Sequence, residues 1–327
     1  MKDQFCHQVG YLFHPIIMRY KLICLLPLLL SCASAFAQID PNRGINSTAF
    51  ENLLSARIYQ EHGRFHAYAA SGISDKNFNM SYAFQHLDSK TGDGAHADSH
   101  TVTPAFYVEV RQNYSLTASF SYVRSDSSDK ASNKQSLNGY GPALAPAIEL
   151  LHFAHVDTSK TSLTLELDMD YLRGDSSSIS SGVKTDGRSD TFDIGPALTF
   201  VQVLIAKPSY NQLSLVVRPG FDFDTQHQVA SGSSAENSHS GLFSYQTRLV
   251  YGFNANWYLG AYGTWEHYIS QSPASGQSPS DSDWAQFGGS LVYRHGTKWN
   301  ANIGYYYEAF NSGFDSHNVS AYFEYHF

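Results

Sequence analysis

Apolar and polar residues take turns along most of this chain, and the period is two. The stretch His317 to Phe327 shows it without a fault: Val319, Ala321, Phe323, Tyr325 and Phe327 share one parity, and Asn318, Ser320, Tyr322, Glu324 and His326 the other. Side chains alternate across a β-strand, so strict period two predicts a strand with one apolar and one polar face. The same pattern begins at Lys76 with Phe78, Met80, Tyr82 and Phe84. It recurs in Val102 to Val110, Tyr114 to Tyr122, Leu144 to Leu150, Leu163 to Tyr171, Phe192 to Phe200 and Leu213 to Phe221. Phe243 to Phe253, Trp257 to Trp265, Phe287 to Tyr293 and Trp299 to Tyr307 complete the series before the closing strand. These are about twelve strands, each near the roughly ten residues that a tilted membrane strand needs.

The links between them alternate in length. Short ones fall at Arg111-Gln112, His155 to Lys160, Ala206 to Tyr210, Asn254 to Asn256 and His295 to Thr297. Between them lie long links rich in Ser, Gly, Asp and Asn: Asp88 to Ser99, Asp126 to Asn138, Gly174 to Arg188, Thr225 to Ser240 and Ser270 to Ser282. That composition predicts solvated loops, and only the last such link, Asn311 to Ser316, is brief. A soluble sandwich gives alternation but no reason for the rhythm. Hairpins crossing a membrane give both, with short turns on the periplasmic side, long loops outside, and an even strand count returning Phe327 to the side where the first strand starts.

Composition sharpens the picture. The chain has 22 Tyr and 21 Phe, yet its mean hydropathy is −0.31. After the first apolar run, nothing approaches the roughly 20 apolar residues of a membrane helix. Such a chain can still cross a bilayer if every second residue faces lipid and the sheet closes, leaving no backbone group unpaired in hydrocarbon. The predicted fold is all-β: a transmembrane, antiparallel, up-and-down β-barrel. Aromatic residues near strand ends (Tyr114, Tyr122, Trp257, Trp265, Tyr293, Trp299, Phe310 and Tyr325) would form its girdles at the headgroup level.

The closing strand, with aromatics at alternate positions and a terminal Phe, resembles the final strand of bacterial outer-membrane β-barrels. That resemblance implies an outer-membrane location against the bilayer and lipopolysaccharide. It also implies that Tyr325 and Phe327 belong to the signal read by the barrel-insertion machinery. In size, strand count and inward helix, autotransporter translocators resemble the chain as well; only about residues 38–75 precede the barrel here, so no passenger is expected.

The front of the chain fits export. Arg19, Tyr20 and Lys21 precede the apolar run Leu22 to Leu30, and Ala35-Phe36-Ala37 offers a cleavage site: residues 1–37 read as a signal peptide, with 1–17 ahead of Met18 as an upstream extension. Lipidation at Cys32 after Leu29-Leu30-Ser31 is the rival. Cys6, Cys24 and Cys32 all fall in this presequence, so the remainder has neither a disulfide framework nor thiolate chemistry. Its loss removes Lys2, Arg19, Lys21 and Asp3 and takes the net charge from −8 to −10. An acidic chain without Lys/Arg clusters is a poor nucleic-acid partner. Residues 38–75 form a separate segment ahead of the barrel at 76–327. Within it, Phe50, Leu53, Leu54, Arg57 and Ile58 have helical spacing, with Asn46, Ser47 and Thr48 as candidate caps. The segment reads either as a short periplasmic element or as a plug inside the barrel.

The polar parity supplies the candidate site. Glu109, Glu149, Glu166, Asp168, Asp170, Asp193, Glu266, Glu308 and Glu324 are expected to line the lumen opposite Arg218, Arg248 and Arg294. Opposed charges build a transverse field in a pore, and an acidic excess favours cations or sugars over anions. The competing expectation is a narrow interior filled by paired side chains, since about twelve strands lie between filled small barrels and open sixteen-stranded porins. No Gly-x-Ser-x-Gly, His-Glu-x-x-His or phosphate loop is present, so no enzyme is expected. The one hydrolytic candidate is Asp168-Met-Asp170 with Asp222-Phe-Asp224 and His227 near the rim, similar in type to outer-membrane aspartyl proteases but without their strand number or matched dyad. His86, His96 and His100 flank the first long link at spacings that match no metal template. No cofactor or metal is expected. The sequence predicts a monomeric channel for small hydrophilic solutes, with a translocator-like or structural surface barrel as the alternative.

Overall fold

Every regular element in the described residues is a strand, and each finds its neighbour in sequence beside it in space. The computed structural model describes residues 76–327 except 91–93, 112–113, 131, 152–160, 181, 208, 231–235, 273–282, 297 and 310–313. The strands are β1 (Lys76–Ser89), β2 (His96–Arg111), β3 (Tyr114–Ser128), β4 (Lys134–Glu149), β5 (Thr161–Ser180) and β6 (Val183–Lys207). They continue as β7 (Tyr210–Ala230), β8 (Glu236–Gly252), β9 (Trp257–Ser272), β10 (Asp283–His295), β11 (Trp299–Ala309) and β12 (Phe314–His326). All pair antiparallel in chain order, and β1 closes on β12 from Asn77↔His326 to Ser89↔Phe314, giving a closed twelve-stranded barrel. Closure leaves no open edge, as hydrocarbon demands. The terminal residue joins the seam too: the Phe327 backbone N–H donates to the Lys76 carbonyl at 3.2 Å.

Alternation turns into two surfaces. In β12, Val319, Phe323 and Tyr325 are 39–42% exposed while Asn318, Ser320, Tyr322 and Glu324 are at most 7% exposed. The outer face of the other strands carries Phe106, Phe120, Phe223, Leu259, Phe287 and Ile303, all exposed. A belt of exposed apolar side chains this extensive belongs in lipid, and buried polar residues lie behind it. Trp257, Tyr293, Trp299 and Phe323 follow one another ring to ring at 4.7, 5.4 and 5.9 Å near the end that holds the short links. Phe310, expected in a girdle, lies outside the described residues, as do the presequence and the segment 38–75.

Several of the long polar links depart from expectation, because much of their length is strand. Gly174 to Ser180 pairs residue by residue with Val183 to Ser189, leaving a tight turn in which Gly182 has φ of 79°. Such a φ suits glycine alone without steric cost. Asp126 to Ser128 likewise pairs with Lys134 to Ser136, and Thr225 to Gln228 with Glu236 to His239. Ser, Asp and Thr announce contact with water, but their backbone donors still need partners, and the adjacent strand supplies them. The wall therefore stands tallest at β5, β6 and β7, which have 20, 25 and 21 residues, and lowest at β11, which has 11.

Candidate functional site

Parity decides which charges share the interior. Even positions face inward on β5 and β7 to β12, odd positions on β1 to β4 and β6. Glu166, Asp168, Asp193, Arg218, Arg248, Glu266, Glu308 and Glu324 are all buried on that face; Glu109, Glu149, Asp170 and Arg294 have the same parity and are partly exposed.

The densest group spans β5 to β7. The Arg218 guanidinium lies against Asp168 and 3.7 Å from Glu166, while the Thr199 hydroxyl donates to Glu166 at 3.2 Å. Beyond this pair, Asp170, Asp193 and Asp224 stand directly opposite one another across three strands, and the Ser240 hydroxyl donates to Asp224 at 3.2 Å. Charges removed from bulk water attract and repel with far less screening, so this wall is the electrostatic focus of the barrel. Arg218 also begins a row set by register: Gln246, Thr264, Gln286 and Glu308 follow on successive strands. Gln85 then closes the seam by donating to Glu308 at 2.8 Å and to Ser316 at 3.1 Å.

Other charges serve different surroundings. Arg248 sits 5.2 Å above the Tyr262 ring, which packs on Tyr306 with centroids 4.5 Å apart. Glu324 accepts from the Asn300 amide at 2.7 Å. At the short-link end, Glu149 accepts from the backbone N–H groups of Leu151 and Leu163, both at 3.0 Å, and Arg294 donates to the Gly296 carbonyl at 2.7 Å. Those two hold strand ends beside short links. Tyr325 and Phe327 face outward at the same end, ring centroids 5.4 Å apart.

The hydrolytic grouping does not assemble. His227 has the outward parity of β7, is exposed, and pairs with Asn237 at 2.7 Å, whereas Asp222 and Asp224 face inward. An odd spacing on a strand puts the base on the opposite side of the sheet from the carboxylates. His86, His96 and His100 are strand residues rather than loop residues, all facing outward, with His86 bonded to Asp98 at 2.6 Å and Asp88 at 3.1 Å. No His/Cys/Asp/Glu group able to hold a metal occurs among the described residues.

One feature of the interior has no counterpart in the expected site. Val201, Val216, Val250, Tyr258 and Val292 form a buried apolar cluster on inward positions of β6 to β10. The signal for it is a break in period two, where both faces turn apolar: Leu215-Val216-Val217, Leu249-Val250-Tyr251, Trp257-Tyr258-Leu259 and Leu291-Val292-Tyr293.

The fold is that of bacterial outer-membrane barrels. The translocator domain of the autotransporter NalP from Neisseria meningitidis is similar, with a TM-score of 0.63 and 14% identity over 86% of this chain and 98% of that one. The transport unit of the autotransporter AIDA-I from Escherichia coli gives 0.54 and 10%, over 82% and 98%. The toluene transporter TodX from Pseudomonas putida is more distant at 0.45 and 9%, over 77% and 90%. No protein-family model matches the chain, and no curated protein matches it in sequence.

Proposed function

We propose that the protein is a transport barrel of the outer membrane: a cation-leaning channel for small hydrophilic solutes. The observation that carries this reading is the inward face, polar over most of the barrel and richer in carboxylates than in guanidiniums. A wall of that kind favours positively charged or hydroxyl-rich solutes and opposes anions. Recordings from the protein in planar bilayers test it. Expected are discrete conductance steps whose reversal potential in a KCl gradient has the sign for K⁺. The variant D170N/D193N/D224N, which neutralises one row, moves that potential towards zero. Silence at every salt and voltage removes the channel reading.

A second reading is favoured by the apolar cluster. At the short-link end the inward face has two characters: Val201, Val216, Val250, Tyr258 and Val292 on one side, Asn77, Asn300 and Glu324 on the other. A water-filled mouth gains nothing from buried valines, whereas an amphipathic element matches both sides. The segment Thr48 to Ile58 has such a stripe in Phe50, Leu53, Leu54 and Ile58, and it precedes β1, which begins at that end. In this reading the chain threads its own barrel, in keeping with the fold shared with a translocator domain and a transport unit. All three native cysteines precede the segment, so the pair F50C/V250C reports cleanly once the presequence is removed. Oxidation is expected to form an intramolecular crosslink, seen as a gel shift, and deletion of residues 48–58 to enlarge the conductance. Absence of both effects eliminates threading and leaves the plain channel.

A further inference from the structure

The inner wall opposite the charged one is built of amides. In the ring of strands β12 stands across from β6, so β10, β11, β12 and β1 face the wall that carries Asp170, Asp193 and Asp224. Their inward positions hold Gln286 on β10, Asn300 and Asn302 on β11, Asn318 on β12 and Gln85 on β1, each at most 8% exposed and none charged. Register gathers them into one strip. Gln85 pairs directly with Asn318, Asn318 lies beside Tyr306, and Asn302 lies between Val292 and Tyr322.

Much of the strip's hydrogen-bonding capacity is unspent. Gln85 and Asn300 each give an N–H to a carboxylate, Glu308 at 2.8 Å and Glu324 at 2.7 Å, and Asn318 gives one to the Ser316 hydroxyl at 3.0 Å. The amide oxygens of those three residues, both amide atoms of Gln286 and the amide nitrogen of Asn302 meet no partner among the described residues. A buried polar atom without a partner costs about 1–3 kcal/mol. The barrel avoids that cost nearby, where Val216, Val250 and Val292 take inward positions, so packing by itself does not call for amides.

Two rings share the strip. Tyr262 and Tyr306 pack with centroids 4.5 Å apart, and the Ser320 hydroxyl donates to that of Tyr306 at 2.7 Å. A Cβ at Gly288 would lie 2.5 Å from the Tyr262 hydroxyl, and one at Gly304 would lie 2.7 Å from the Tyr306 hydroxyl. The rings therefore lie along the wall, over glycines, and not across the bore. Convergent polar groups beside aromatic surface are what a small-molecule site requires.

The chemistry of the unspent groups selects the ligand. Both carboxylates of the strip already accept an amide N–H, and what is left is neutral: oxygens that accept and nitrogens that donate. An ammonium could answer only the first and a carboxylate only the second, whereas a hydroxyl answers both. The strip is also long. Asn318 and Glu324, the partner of Asn300, are six residues apart on β12, which spans roughly 20 Å in a strand. That length fits a chain of sugar rings better than one ring.

We propose that this strip binds an uncharged oligosaccharide, its hydroxyls on the amides and its C–H groups against the tyrosines. The inference rests on the channel reading and narrows its solute, leaving cations to the wall of β5 to β7. The test titrates the full chain, folded in detergent, with maltohexaose and with cellohexaose and reads binding by calorimetry. The same sugars are added to the bilayer recordings. At least one hexasaccharide is expected to bind and to interrupt the K⁺ current, with glucose about tenfold weaker or more. Q286L/N302L/N318L, shown to be folded by its heat-dependent gel shift, should lower affinity about tenfold or more. A uronic-acid oligomer of the same length should bind wild-type protein more weakly, an arm that needs no variant. No binding of either hexasaccharide, or equal affinity of the amide variant, overturns the proposal, and equal binding of the uronic-acid oligomer overturns the uncharged class. Binding that appears only on deletion of residues 48–58 gives the strip to the chain's own segment and overturns it as well. Binding in a protein that never conducts removes the channel reading and leaves the site standing, while conduction without binding does the reverse.

Discussion

Arg218→Met is expected to lower barrel stability by about 3–5 kcal/mol, the usual cost of removing one partner from a buried ion pair. Arg218, Glu166 and Asp168 are all at most 6% exposed, and the guanidinium is the cation that both carboxylates face. Its loss leaves two like charges two residues apart on one face of β5, with little water to screen them. Urea titration of the protein folded in lipid vesicles, read by the gel shift of the folded barrel, gives the midpoint. The triple variant E166Q/D168N/R218M removes the charges together, and its midpoint should recover most of the loss, because the harm lies in two buried carboxylates that have lost the facing guanidinium. A wild-type midpoint in R218M would show that these acids are neutralised by something other than the arginine.

Gly141→Ala is expected to prevent β4 from seating against β5. A Cβ at position 141 would lie 1.7 Å from the Tyr171 carbonyl oxygen and 2.7 Å from its carbon. Those are backbone atoms, so no rotamer change relieves the contact, and overpacking of this kind costs roughly 1–3 kcal/mol or more. The ladder is interrupted here: Pro142 has no N–H to give it, and the pairing passes from Tyr140↔Arg173 directly to Ala143↔Asp170. Gly289→Ala is the control, since its Cβ would meet only the Gly260 carbonyl oxygen, at 3.3 Å. Folding yield in vesicles should collapse for the first variant and change little for the second. Equal yields would mean that the seam between β4 and β5 has room to open.

The strands were readable because lipid and water impose opposite demands on alternate residues. His317 to Phe327 reads the same as a string and as β12. The links were misjudged for a related reason: hydropathy reports the neighbour of a side chain, not the partner of a backbone amide. Gly174 to Arg188 is polar and paired at once. Parity likewise placed Glu166, Asp168, Asp193 and Arg218 on one side of the sheet, yet said nothing of their spacing around the ring. His227 shows the limit from the other direction, because an odd offset from Asp222 and Asp224 was already visible in the chain.

Sequence alone determined the strand count and the alternation of the two faces, because these follow from a period that hydrocarbon enforces residue by residue. The tertiary structure decided the rest through register. Which acid meets Arg218, which carboxylates stand opposite one another at Asp170, Asp193 and Asp224, and where the valines of β6 to β10 gather are set by how far each strand is staggered against the next. Stagger is fixed by closure of the whole ring from β1 to β12, a property that no single stretch of the chain contains.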